Sequence, residues 1–274
     1  MGRPHWTLDD IPWDRFDPSK VDPEVLKLAK AASVVEHNGR DYARYLGEVF
    51  HDDPEFQVVA RQWAEEEVQH GQALARWAKL ADPDFDFDGA FARFSKAITL
   101  PSAIDTSVRG SRAGELIARC MVEVGTSSYY SALMAATEEP ALKEICRRIA
   151  SDEFRHYKMF YDNMKRYLVR EQIGFWARLR IAISRVTKIE DDELAYAYYT
   201  TNHPDAGPYV RKPYHAAYMV RAYRFYRPGH FERGFAMILK AVGMRMSDWL
   251  IRRAAELAYL FIRGRSLWLA RAAV

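Results

Sequence analysis

The sequence predicts an all-α protein: a four-helix bundle with one long crossover over residues 22–167, followed by a helical C-terminal extension over residues 171–274. Three observations predict it. Twelve prolines and fourteen glycines in 274 residues leave long uninterrupted stretches. Those stretches are rich in Ala, Leu, Glu, Arg and Met, which lose little freedom on entering a helix. No run sustains the period-two alternation of a half-buried strand.

Breakers set the order of the elements. Asp22-Pro23-Glu24 reads as an N-cap followed by proline at the first helical position, opening a helix that runs to about residue 51 and stops at Asp52-Asp53-Pro54. A second helix, about residues 55–80, repeats apolar side chains at Phe56, Val59, Trp63, Leu74 and Trp77 and ends before Asp82-Pro83. An Asp- and Phe-rich connection and a crossover containing Pro101 lead to a third helix over about 111–137. Glu138-Glu139-Pro140 breaks it, and a fourth over about 141–167 follows almost at once. The helices therefore pair as two tight hairpins joined by a long connection. Beyond them, helices are expected over about 172–186, 191–200 and 214–225, with one long segment from about residue 231, and Asn202-His203-Pro204-Asp205-Ala206-Gly207-Pro208 as a breaker.

Composition narrows the function classes. Forty basic against 37 acidic residues leave a net charge of +3, too small to argue for a nucleic-acid partner. Cys120 and Cys146 are too few for a disulfide framework or a four-thiolate site. No apolar run suits a secretory signal or a membrane span, and Trp6 stands where N-myristoylation needs Ser or Thr, so a cytoplasmic location is expected. Charge is uneven, however. Residues 240–274 hold seven basic side chains (Lys240, Arg245, Arg252, Arg253, Arg263, Arg265, Arg271) against Asp248 and Glu256, interleaved with Trp249, Leu250, Tyr259, Leu260, Phe261, Trp268 and Leu269. This reads either as a helix packed on the bundle with arginine heads in water, or as a basic amphipathic helix for a membrane surface or acidic partner.

Two Glu-x-x-His motifs carry the chemical signal: Glu67-Val68-Gln69-His70 and Glu153-Phe154-Arg155-His156. Spacing of i and i+3 puts carboxylate and imidazole on one helix face, able to hold the same ion. Each motif has a carboxylate in the helix before it, Glu36 lying 31 residues ahead of Glu67 and Glu123 lying 30 ahead of Glu153. The second hairpin repeats the first at an offset of 86 or 87 residues, so all four carboxylates reach a similar level of the bundle. Alone, each of the six reads equally well as an exposed helix-face side chain; the joint register favours a two-metal carboxylate site. Four buried glutamates need strong pKa elevation or compensating cations, and oxygen and nitrogen donors suit iron or manganese. Glu66 and Asp152 sit four residues before the motif histidines and are candidates to orient imidazoles. Thr126, three after Glu123, either supplies a hydroxyl near the metals or, with Gly125, Ser127 and Ser128, lets two helices approach. Tyr42, Trp63, Tyr129 and Tyr130 read mainly as core, Cys120 and Cys146 as small core residues, and His37 as pointing away from the ligand face.

The strings Trp63-Ala64-Glu65-Glu66-Glu67-Val68-Gln69-His70-Gly71 and Ile149-Ala150-Ser151-Asp152-Glu153-Phe154-Arg155-His156 resemble the ferritin-like di-iron carboxylate superfamily, most closely the soluble acyl-carrier-protein desaturases. The resemblance covers about residues 22–167, and the chain departs from that family in its shorter length and unmatched C-terminal region. It implies Glu36 and His70 on one iron, Glu123 and His156 on the other, with Glu67 and Glu153 bridging. It further implies a homodimer and an oxygen-dependent desaturase or hydroxylase that acts on a hydrophobic, acyl-type or carrier-bound substrate. An external electron-donor protein is required, since the chain shows no flavin or iron–sulfur motif. Two alternatives stand beside this reading: a ferroxidase or peroxide-scavenging protein using the same ligands, and a non-catalytic helical scaffold whose basic tail binds a membrane or acidic partner.

Overall fold

The computed structural model describes residues 6–187, 192–203 and 205–272, with the side chains of 186–187 and 267–272 outside that description. Polar caps start its helices where the breakers predict. The Asp22 carboxylate accepts from the Glu24 and Val25 amides to open α1 (Pro23–His37). Asp53 opens α3 (Pro54–Ala81), Ser111 opens α5 (Arg112–Ala136) and Glu139 opens α6 (Pro140–Glu171) in the same way. Prolines occupy the first turns of α1, α3 and α6, where no amide partner is lost.

Four departures from the expected elements have local causes. The first predicted helix is two, α1 and α2 (Gly39–Val49), broken at Asn38. At Gly39 the backbone lies so close to α3 that a Cβ would fall 2.5 Å from the Glu67 Cβ. The Asp-rich connection contains α4 (Phe87–Ala97), capped by Asp86, whose Phe87, Ala90, Phe91 and Phe94 recur at helical spacing. Gln172 does not start a helix; it closes α6 in the left-handed conformation, and α7 (Phe175–Thr187) follows. The long final segment is α10 (Pro228–Val242) and α11 (Asp248–Ala272), parted by Gly243 at φ +81°. Between them and α7 come α8 (Asp192–Asn202) and α9 (Arg211–Arg224). Asp191 and Pro204, which the predicted boundaries used, lie outside the described residues.

The protein is all-α, with no strand among the described residues. α1 and α2 pack along α3, α5 along α6, and α3 against α6. The later helices cover this core: α8 and α9 lie on α1, α7 and α10 on α5, and α11 bridges α9 and α10. Buried apolar side chains form two clusters. One gathers Leu28, Leu74, Trp77, Leu142, Ile145 and Tyr198; the other gathers Phe50, Phe56, Leu116, Phe160 and Tyr167. Along α3, α5 and α6 the polar candidates fall in the seam between these clusters, so each long helix is apolar on both sides of one buried ionisable layer.

Candidate metal centre

Helical spacing builds the layer. Trp63, Glu67 and His70 stand at i, i+4 and i+7 on α3, and Glu123, Thr126 and Tyr130 at i, i+3 and i+7 on α5, so each set shares a face. Glu36 comes from the last turn of α1, and Glu153 and His156 from mid-α6. All six predicted ligands are buried and converge. They form two overlapping sets, Glu36, Glu67, His70, Glu153 and Glu67, Glu123, Glu153, His156, each with ligand atoms within 4.8 Å of one another. Either set could hold a metal ion, and Glu67 and Glu153 belong to both.

The donor atoms fit such occupation. Glu36 Oε2, Glu67 Oε1, His70 Nδ1, Glu123 Oε2, Glu153 Oε1 and His156 Nδ1 are buried without a hydrogen-bond partner, one atom from each ligand. They face one another, with His156 Nδ1 3.0 Å from Glu67 Oε1 and His70 Nδ1 3.3 Å from Glu153 Oε1, so imidazole–carboxylate pairing holds positions that bound cations would take over. The second nitrogen of each imidazole is hydrogen-bonded. His70 Nε2 donates to Asp152 Oδ2 at 2.9 Å, and His156 Nε2 donates to Glu66 Oε2 at 2.8 Å. Each carboxylate thus serves the histidine of the opposite hairpin, not the one four residues along its own helix. This fixes both rings with Nδ1 toward the cluster.

Electrostatics reflect the crowding. Burial, together with the Glu153 and Glu36 carboxylates, drives the Glu67 pKa well above the carboxylate range, and burial with Glu153 raises Glu123 to about 8. Burial also opposes ionisation of Glu153, but the two imidazoles outweigh it and hold its pKa well below normal. Both histidines are held well above the usual imidazole value against burial by the carboxylates around them. Without cations, protons must balance the four glutamates; two divalent ions would do so at fixed stoichiometry.

Thr126 donates its hydroxyl to Glu153 Oε2 at 2.6 Å, so it contacts a ligand shared by both sets. Three further residues belong to the site. Tyr130, read from sequence mainly as core, donates to Glu36 Oε1 at 2.6 Å; its i+7 relation to Glu123 was the available signal. Arg155 sits inside the second motif and ties Asp152 to Glu66, lying 3.4 Å from the latter. Trp6 donates to Asp152 Oδ2 at 2.7 Å and stacks on His70 with ring planes 7° apart, a contact spanning 146 residues that no local pattern announces. Burial opposes the charge on Asp152, yet His70, Arg155 and Trp6 lower its pKa to about 2. The other candidates lie off the ligand sets: His37 packs edge-on against Phe87 and Phe91, and Cys120 and Cys146 are buried thiols. Tyr42 donates to Glu193, tying α2 to α8.

A cavity of about 430 Å³ opens on this layer. Glu36, Glu67, Glu123, Glu153 and Thr126 form part of its wall, and Trp63 and Tyr129 line it as well. The later helices supply much of the remainder, including Tyr218, Met219, Phe231, Ile238 and Ile262, so the wall is mainly apolar. Searches against protein-family models and against curated proteins found no match to this chain.

Proposed function

We propose that the chain is a non-haem di-iron oxidoreductase with a ferritin-like four-helix core, using dioxygen to oxidise a C–H bond of a hydrophobic, acyl-type substrate. The observation that carries this reading is the pair of ligand sets sharing Glu67 and Glu153 beside a mainly apolar cavity. Glu36 and His70 would hold one ion and Glu123 and His156 the other, with Glu67 and Glu153, common to both sets, available to each. Bound iron would supply the electrons that reduce dioxygen, and with them the oxidising power for hydrogen removal.

The chain's own groups do the rest. Asp152 and Glu66 hold the imidazoles in one tautomer, Arg155 neutralises part of their charge, and Trp6 closes the side away from the cavity. Thr126 keeps a proton between the cavity and Glu153 Oε2, where it is placed to move when that carboxylate shifts. Apolar walls exclude water and orient an alkyl chain against the carboxylate layer. Electrons for repeated turnover must come from a separate donor protein. Manganese would accept the same donors, and a ferroxidase would use the same ligands with no need of the cavity.

The test is anaerobic Fe(II) loading, desalting and metal analysis by plasma mass spectrometry, then oxygen uptake with a chemical reductant in the presence and absence of fatty acyl substrates. About two irons per chain and acyl-dependent uptake, with a product lighter by two hydrogens or heavier by one oxygen, is the expected result. Oxygen uptake at the same rate with and without acyl compounds, and no altered acyl product, would replace this reading with ferroxidase activity. Absence of retained metal would leave the scaffold alternative.

A further inference from the structure

α11 has two apolar faces where a surface helix ordinarily has one. Ile251, Ala255, Ala258 and Ile262 recur at i, i+4, i+7 and i+11; the first two are buried and the last two line the cavity. On the opposite face Trp249, Leu250, Leu257, Leu260 and Phe261 are 43–71% exposed. At 1.5 Å per residue this outer stripe runs about 18 Å along the helix. Arg252 and Arg263, both exposed, edge it on one side, and Arg253 sits within it with its guanidinium 5.9 Å from the Trp249 ring and 2.9 Å from the Glu256 carboxylate, the one acidic side chain beside the stripe. The segment 240–274 carries seven basic residues against two acidic, in a chain whose remainder is net negative. The side chains of Trp268, Leu269 and Arg271, which the sequence pattern also placed here, lie outside the described residues.

We infer that the outer face of α11 docks on the surface of an anionic phospholipid bilayer, placing the cavity one helix away from the lipid. Charge selects this occupant. A second copy meeting the face through a twofold axis would gather Arg252, Arg253 and Arg263 of both copies in one interface with a single acidic neighbour, Glu256, from each, which leaves it net repulsive. Anionic headgroups pair with those guanidinium groups while the aromatic and leucine side chains enter the acyl boundary. Among the described residues no helix is long and apolar enough to cross a membrane, so the contact is made in the plane of the surface. The inference deepens the proposed function by naming the source of the hydrophobic substrate, a bilayer lipid or an acid released from one, and to that extent rests on it.

The experiment is flotation of the full chain, metal-free, with vesicles of phosphatidylcholine alone or of three parts phosphatidylcholine to one part phosphatidylglycerol. The parent is expected to float with the anionic vesicles and much less with the neutral ones. The triple variant Leu257→Ser, Leu260→Ser, Phe261→Ser and the double variant Arg252→Glu, Arg263→Glu are each expected to lose about tenfold in partitioning. Both should keep the parent's helical circular dichroism and metal stoichiometry, because the substituted side chains point away from the cavity.

No parent binding to anionic vesicles, or binding unchanged in both variants, would overturn the inference. Binding lost with the arginines but kept in the apolar triple variant would overturn entry of the aromatic and leucine face into the acyl boundary and leave a purely electrostatic contact. A parent dimer that dissociates in the triple variant, seen by ultracentrifugation without vesicles, would assign the face to a second copy. None of these outcomes bears on the metal centre, whose failure would be read separately from metal content.

Discussion

Glu67 and Glu36 differ in one respect that metal stoichiometry can read: Glu67 belongs to both ligand sets and Glu36 to one. Truncating Glu36 to alanine removes a donor from a single ion. Truncating Glu67 removes a donor from both and leaves three residues in each set. At free metal a hundredfold above the dissociation constant, one site stabilises the fold by about 2.7 kcal/mol, and two independent sites by about 5.4, or about 10–20 °C in Tm for a chain of this size. The metal-free proteins should differ less. Burial, Glu153 and Glu36 push the Glu67 pKa well above the carboxylate range, so in the metal-free protein Glu67 carries little charge and its removal should shift the melting of the chelator-treated protein far less than that of the metal-loaded one. The assay is calorimetry with Mn(II), which avoids oxidation during the scan, paired with metal analysis after desalting. Glu36→Ala is expected to keep about one metal per chain and about half the metal-induced shift, and Glu67→Ala to keep neither. Equal metal content in the two variants would refute the shared-ligand geometry, and a Glu67→Ala protein as strongly stabilised by metal as the parent would refute the site.

Other perturbations test the surrounding structure. Gly39→Ala would put a methyl 2.5 Å from the Glu67 Cβ; since Glu67 is held by a rigid helix, metal affinity should fall at least tenfold in equilibrium titrations while helicity is retained. Thr126→Val removes the hydrogen bond to Glu153 and should lower substrate-coupled turnover about tenfold at unchanged metal content, with Thr126→Ser restoring most of it. Glu139 is fully buried at the start of α6 and accepts from Asp17, Trp77, Ala141 and Leu142 amide or indole N–H groups. Glu139→Ala should therefore cost about 3 kcal/mol or more in urea unfolding. A loss below about 1 kcal/mol would mean that water replaces the carboxylate.

The parts of the fold legible beforehand were those written in local chemistry. Asp22, Asp53, Ser111 and Glu139 cap helices within one residue of their predicted starts because a cap needs only its own neighbours. The six candidate ligands were legible because duplication placed the same spacing in two hairpins. The break at Asn38 was hidden, since it accompanies the approach of Gly39 to Glu67, on another helix. α4 was obscured by the aspartates that flank its apolar positions, and the division at Gly243 by the helix-forming composition on both sides. Pairing within the site was the least accessible part. Asp152 and Glu66 were recognisable as imidazole partners, but their exchange between hairpins, and the arrival of Trp6 from the far end of the chain, depend on how α3 meets α6.

That exchange would also make cation capture by the carboxylate–imidazole layer a checkpoint on assembly. Each hairpin carries an imidazole whose orientation is set by a carboxylate on the other, with Arg155 spanning the two. Neither hairpin contains a finished half-site, although each contains a complete motif. A chain whose hairpins were formed but misaligned by a single turn would present every ligand yet fix neither ring. Cation capture would then certify that the two halves have met in register, and chains unable to capture it would be marked as incompletely built before any substrate arrived.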